Sequence, residues 1–430
     1  MWDVKWFLWK LWASVLLTAL IGVGGTASAQ ISPGDFINPD NATKVKDLVS
    51  PGVYARVLHG MTMKITPTER IDWPPPYREA TEKYSAQVRL SPDRRSLVAY
   101  AAGQPFPIID PNDPDVGAKI MWDNTFRPIS SDDYDLRDFA CTSEYWGKGK
   151  PYQMIDYIEV GHYAGYNLVG RTEVEPIPID PDFKTSGRYW LFGLYPVLAP
   201  QQARGTGILR YRYADPLKGD DQWDWTPGTR RLRRLNETIL GTATGAQEYS
   251  PDNYEGFSAK NENYDFKFIG EKNMLAAVNS EHVPEVTCNT DGGASVCPER
   301  WEMRHLYIVE ARALRDRVPE ELYSRRVLYI DSEAIFVMYL DMYDRRGSLW
   351  KNYTSWMTYR DRPVPAARIA IYPFKREFQV GSSTVDVQSG FSSVCYHPAQ
   401  NTAERDSWYI NMGAVDRQFF TLQAMVKAAP

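Results

Sequence analysis

The chain lacks most of the patterns that announce chemistry. It has no G-x-S-x-G elbow, no H-E-x-x-H, no P-loop and no dinucleotide fingerprint, which leaves the common hydrolase, zincin, nucleotide-hydrolysing and Rossmann classes without support. Its five histidines, His59, His162, His282, His305 and His397, are scattered without ligand spacing. Cationic residues number 49 against 54 acidic ones, for a formal net charge of −5, so no nucleic-acid partner is expected. Beyond the N-terminal segment no apolar run approaches the roughly eighteen residues of a membrane helix. No Ser/Gly linker, low-complexity tract or fixed-period repeat divides the chain. One large domain over residues 30–430, with long loop insertions, is therefore expected. No catalytic residue, metal or cofactor is assigned, and the chain is read as a non-enzyme.

Cysteine is scarce too. The four are Cys141, Cys288, Cys297 and Cys395. Cys288 and Cys297 flank a flexible Asn-Thr-Asp-Gly-Gly-Ala-Ser-Val loop and are expected to pair, with Cys141–Cys395 as the remaining bridge. Cys395-Tyr-His397 has no second ligand pair nearby and reads poorly as a zinc site. Asp110, Asp113 and Asp115 depart from the EF-hand order, and Asp-Pro turns account for them equally well.

What the chain does have begins at its N-terminus. Lys5 and Lys10, an apolar run from Leu11 to Gly24 and Ala27-Ser28-Ala29 read as a cleaved Sec-type signal peptide over residues 1–29. No cysteine follows the cleavage site, so lipid attachment is not expected. The expected address is the periplasm of a Gram-negative cell or the space beyond it.

Aromatic residues make up 13% of the chain, with 14 Trp and 27 Tyr. Between Trp301 and Trp356 they combine with β-branched residues in four runs, near residues 301–311, 325–331, 335–344 and 348–356. Asp331, Asp344 and Gly347 mark the turns, giving a meander of antiparallel strands. The run 335–344 is apolar on both faces for most of its length, so something covers each side. Phe336, Met338, Leu340 and Met342 share one face and are the candidate apolar lining of a ligand site. The alternative is ordinary core. Earlier strands are expected at 152–157, 167–175, 188–194 and 207–214. Gln222-Trp-Asp-Trp225 and Arg230-Arg-Leu-Arg-Arg-Leu235 form two strands joined at 226–229. Trp223 and Trp225 are candidate rim residues. Arg231 and Arg233 are candidate head-group ligands, because guanidinium forks match phosphate and carboxylate. Cross-strand pairing of the arginine cluster with Asp220, Asp221 and Asp224 is the structural alternative.

Helices are expected at 41–49, at 78–88 with Tyr77, Ala80, Tyr84 and Val88 on one face, at 118–124 and at 417–427. Residues 53–66 read as strand or loop and 368–374 as a late strand. Residues 242–262 read as a polar loop with a short helix after Ser250-Pro-Asp-Asn.

Several ordered motifs carry a resemblance. Pro76-Tyr-Arg-Glu-Ala-Thr-Glu-Lys-Tyr84, Ala102-Gly-Gln-Pro-Phe-Pro107 and Asp110-Pro-Asn-Asp-Pro114, with Lys119 and Trp122, resemble the Gram-negative periplasmic family called domain of unknown function 1329. Trp223-Asp-Trp-Thr-Pro227 before Arg230-Arg-Leu-Arg-Arg234, and Tyr343-Asp-Arg-Arg-Gly-Ser-Leu-Trp350, continue the likeness over nearly all of the mature chain. That family is similar, distantly, to the lipoprotein carriers LolA and LolB. The resemblance implies an α+β fold: a large, strongly curved antiparallel sheet, an incomplete β-barrel, with helices covering the concave face. It also implies a hydrophobic or lipid-like ligand, an exporter of the resistance-nodulation-division type and an outer-membrane β-barrel as partners. It supplies no catalytic residue. The chain departs from LolB in lacking a lipidation cysteine and from both carriers in size. An envelope glycan-binding protein or hydrolase with an aromatic cleft, and a ligand-free adaptor, are the competing readings.

Overall fold

The β-branched and aromatic runs become strands, and the strands extend further than the sequence suggests. The computed structural model describes residues 31–145, 153–235, 247–280, 285–287, 296–297, 300–397 and 406–428. The expected signal segment and the Cys288–Cys297 bridge fall outside these residues. The main strands are β1 (Asp133–Tyr145), β2 (Gln153–Asn167), β3 (Arg188–Leu194), β4 (Gly207–Tyr213), β5 (Asp221–Thr226) and β6 (Arg231–Leu235). They continue with β7 (Tyr264–Ala276), β8 (Arg300–Ala313), β9 (Arg325–Asp331), β10 (Val337–Tyr343), β11 (Leu349–Arg360), β12 (Arg376–Asp386) and β13 (Phe391–Tyr396). Short strands complete a 17-stranded sheet.

The topology is two meanders joined at a seam. β1 to β6 run outward by antiparallel neighbours. β7 to β13 run inward in the same way. β13 then pairs with β1, which puts Cys395 directly opposite Cys141. These two form a disulfide with Cα atoms 4.0 Å apart. Among the described residues the outer strands β6 and β7 do not pair with each other, so the sheet stays an incomplete barrel. Residues Ile31–Pro430 make one compact unit.

Three stretches differ from expectation, each for a local reason. Residues 51–58 are a helix, α1 (Pro51–Leu58), where strand or loop was expected. Ser50 caps it by accepting from the Val53 N–H, and Pro51 fits the first helical turn. α1 sits so close to β10 and β11 that a Cβ on Gly52 would lie 2.2 Å from Asp341 Oδ1. The strand expected at 167–175 stops at Asn167, because the N–H groups of Thr172, Glu173 and Val174 all turn to the Asp132 carboxylate. No strand forms at 368–374, where Arg368, Ile369 and Ala370 donate instead to Asp406. The expected helices near 78–88 and 118–124 are α2 (Pro75–Tyr84) and α3 (Val116–Thr125). After the short α4 (Asp182–Ser186), the last helix is α5 (Leu422–Ala428), shorter than expected.

Candidate functional site

A segment with no α-helix or strand, only a short 3-10 turn at Pro251–Asn253 and another starting at Asn261, crosses the hollow of the sheet. Residues 247–261 are touched by strands from both meanders, which requires the sheet to bend around them. From the first meander, Arg210 Nη2 donates to Asp252 (3.1 Å), Arg212 Nη2 to the Ser258 carbonyl (2.7 Å) and Tyr163 to Glu255 (3.2 Å). From the second, Tyr249 bonds Ser382 (3.1 Å), Glu248 N–H donates to Ser393 (2.8 Å) and Asn253 reaches the Met342 sulfur (3.4 Å). A Cβ on Gly256 would meet Val337 at 2.6 Å, so only glycine lets the segment approach β10 this closely, and its φ of +85° suits glycine as well.

The anchors are charges buried by an inverted alternation. In β4, Arg210 and Arg212 point inward and are 2% and 6% exposed, while Leu209 and Tyr211 face α5 and the chain before it. Both guanidinium groups bind Asp220, each at 2.8 Å. Burial pushes the Asp220 carboxyl upward, but Arg212 and Arg210 outweigh it and hold the group at about 2. Nearby along the segment, Arg127 pairs with Glu255, and burial lowers the Arg127 pKa. Glu377 is 4% exposed, and burial pushes it up to about 8.

Beside this segment the hollow is not filled. A cavity of about 250 Å³ remains, walled by Phe139, Ile158, Val160, Leu194, Val197 and Ile208, with the Cys141–Cys395 disulfide also on its wall. It reaches the surface at Thr226, which is exposed. Asp224, Glu255 and His397 line it along with three tyrosines, and among the described residues neither lysine nor arginine does. Burial alone pushes the His397 imidazole down to about 3, so it is neutral. Burial likewise raises Asp224.

The residues singled out from sequence divide around this cavity. Phe336, Met338, Leu340 and Met342 are at most 1% exposed and do not line it. The Arg127 guanidinium lies 5.0 Å from the Phe336 ring, and the crossing segment covers Met342. The face read as a ligand lining is instead packed inside the protein, off the cavity wall. Trp225 borders the cavity; Trp223 does not, and both pack against the cluster of Tyr195, Leu209 and Met425. Arg231 lies opposite Thr226 and Arg233 opposite Asp224, so both share the cavity-side face of the exposed β5–β6 hairpin. Arg234 pairs with Asp221, as the structural alternative required for that residue. Asp220, by contrast, belongs to Arg210 and Arg212. Asp113 pairs with Lys119, and Cys395 is engaged in the disulfide. Among the described residues no group of three or more His, Cys, Asp or Glu is placed to hold a metal ion.

Fold and cavity together define an open β half-barrel with an internal space beside its crossing segment. The chain belongs to the family described as protein of unknown function DUF1329, which matches residues 36–426. It is 23% identical over 343 residues to the uncharacterized protein PA3922 of Pseudomonas aeruginosa, spanning 76% of this chain and 70% of that one. A Vibrio parahaemolyticus domain provisionally described as an outer membrane lipoprotein-sorting protein aligns with a TM-score of 0.48 at 14% identity, over 73% of this chain and 100% of its own. A DUF1329 family protein from Desulfovibrio piger aligns with a TM-score of 0.46 at 15% identity, over the same shares. Among the described residues no helix is long and apolar enough to cross a membrane.

Proposed function

We propose that this protein is a periplasmic carrier that shelters a hydrophobic or lipid-like molecule in the hollow of its half-barrel. The observation that carries the reading is the apolar cavity of about 250 Å³. An engineered apolar cavity of about 150 Å³ already binds benzene. Moving apolar surface out of water contributes about 25 cal/mol per Å², so a partly inserted chain is held without any covalent step. Arg231 and Arg233, exposed beside Thr226 and Asp224, are placed to meet a carboxylate or phosphate that stays outside. An exporter of the resistance-nodulation-division type and an outer-membrane β-barrel are the proposed partners. Residues 1–29 are the proposed export signal.

The test is organic extraction of protein purified from the periplasm, followed by mass spectrometry, for wild type and Val160→Trp. A lipid-like molecule bound to wild type and missing from the filled variant supports the carrier. Empty wild-type protein that binds oligosaccharide supports the glycan reading. Capture of an exporter by protein with no bound molecule supports the adaptor.

A further inference from the structure

The cavity wall carries buried polar atoms with no partner among the described residues. They are Asp224 Oδ1, Trp225 Nε1, His397 Nδ1 and both amide atoms of Gln247. Buried groups left this way are costly, and native proteins normally meet them with water or a ligand. Their gathering on one cavity is the point: the wall is apolar by area yet offers hydrogen bonds that none of the described residues takes up.

Their chemistry narrows what would take them. His397 is 7% exposed, and its ring stands 5.9 Å from that of Phe139. A neutral imidazole offers one donor and one acceptor, and the Gln247 amide offers both kinds as well. A charged head inside the cavity is disfavoured. An anion there would face Asp224 and Glu255 without a lining cation, since Arg127 is already paired with Glu255. A cation would have to leave water for a mostly apolar wall where Glu255 is already paired with Arg127 and Asp224 lies opposite Arg233 across the hairpin. An uncharged oxygen fits: a hydroxyl satisfies a donor and an acceptor together, and a carbonyl accepts from the amide or the ring N–H.

We infer that the buried part of the ligand carries a hydroxyl or carbonyl oxygen within its apolar body, and that Gln247 and His397 bind that oxygen. This rests on the carrier reading and names the chemistry its ligand must have. Leu, Phe or Val at these two positions would serve a plain hydrocarbon better.

The test uses the disulfide-bonded protein and follows its tryptophan fluorescence. The probes are stearic acid, two stearic acids hydroxylated at different mid-chain carbons, and a mid-chain oxostearic acid. All carry the same carboxylate for Arg231 and Arg233 and differ only within the chain. At least one oxygenated probe is expected to bind about tenfold tighter than stearic acid. The double variant Gln247→Leu, His397→Phe is expected to bind stearic acid at least as tightly as wild type does and to lose that preference. Its thermal midpoint holds or rises, because apolar groups replace unpartnered polar ones. Equal affinity of wild type for all the probes overturns the inference, points to a wall satisfied by water, and leaves the carrier standing. Absence of binding by every probe overturns the carrier reading as well. A preference that survives in the double variant overturns the assignment to Gln247 and His397.

Discussion

Replacing Glu377 by Gln tests whether the interior of the half-barrel holds an uncharged carboxyl. Glu377 is 4% exposed, its Oε1 has no hydrogen-bond partner, and burial pushes it to about 8. The unfolded chain offers an ordinary Glu with a pKa near 4.5. A carboxyl raised in the folded state favours folding fully only below the unfolded value. As pH rises from 4.5 toward 8 the unfolded chain releases its proton first, and stability falls. Between pH 5 and pH 8 this linkage amounts to roughly 3–4 kcal/mol for the single site, at about 1.4 kcal/mol per pH unit. A unit of about 400 residues unfolds with roughly 0.8 kcal/mol/K of entropy, so the difference corresponds to about 4–5 °C. Gln cannot ionise. Glu377→Gln is therefore expected to melt near wild type at pH 5 and about 4–5 °C above it at pH 8, followed by circular dichroism at a fixed scan rate. An identical offset at both pH values would refute the reasoning, because it would mean that Glu377 is already ionised against Arg127 or Arg304.

Other outcomes follow from the same packing. Cys141→Ser with Cys395→Ser removes a bridge that spans 254 residues. Loop-closure entropy puts the loss at about 5 kcal/mol, visible as a lower melting point that reductant also produces in wild type. Asp220→Asn leaves Arg212 buried without a carboxylate and Arg210 with Asp252 alone, and is expected to cost about 3–5 kcal/mol, measured by denaturant unfolding at neutral pH. Arg231→Gln with Arg233→Gln, both on the exposed hairpin, is expected to weaken binding of an anionic lipid severalfold while shifting the melting point by less than about 1 °C, since exposed pairs contribute little. Matched losses of binding and stability would assign them a structural role.

The meander from residue 301 to 356 was legible because its strands are long, β-branched and aromatic, and because Asp331, Asp344 and Gly347 mark the turns. The β5–β6 hairpin was legible for the same reason. β1, β12 and β13 were not, since Thr142, Ser143, Ser382, Ser383, Thr384, Ser392 and Ser393 break the apolar alternation on which strand recognition depends. The site was harder still. Residues 247–261 are polar enough to read as a surface loop, and they are interior only because Arg210, Arg212 and Arg127 lie buried opposite them. An alternating Arg-Tyr-Arg strand gives no sign of which side faces in. Local hydropathy pointed to Phe336, Met338, Leu340 and Met342 as lining, whereas long-range charge pairing decides what covers them.

The seam between β1 and β13 imposes an order of events on the young polypeptide. β1, the first long strand of the sheet, must wait for a neighbour that emerges 254 residues later. Until then its edge and half of the hollow stand bare, a state prone to sticking to other chains. Docking of the late strand covers that edge, and the disulfide between Cys141 and Cys395 then locks the seam shut.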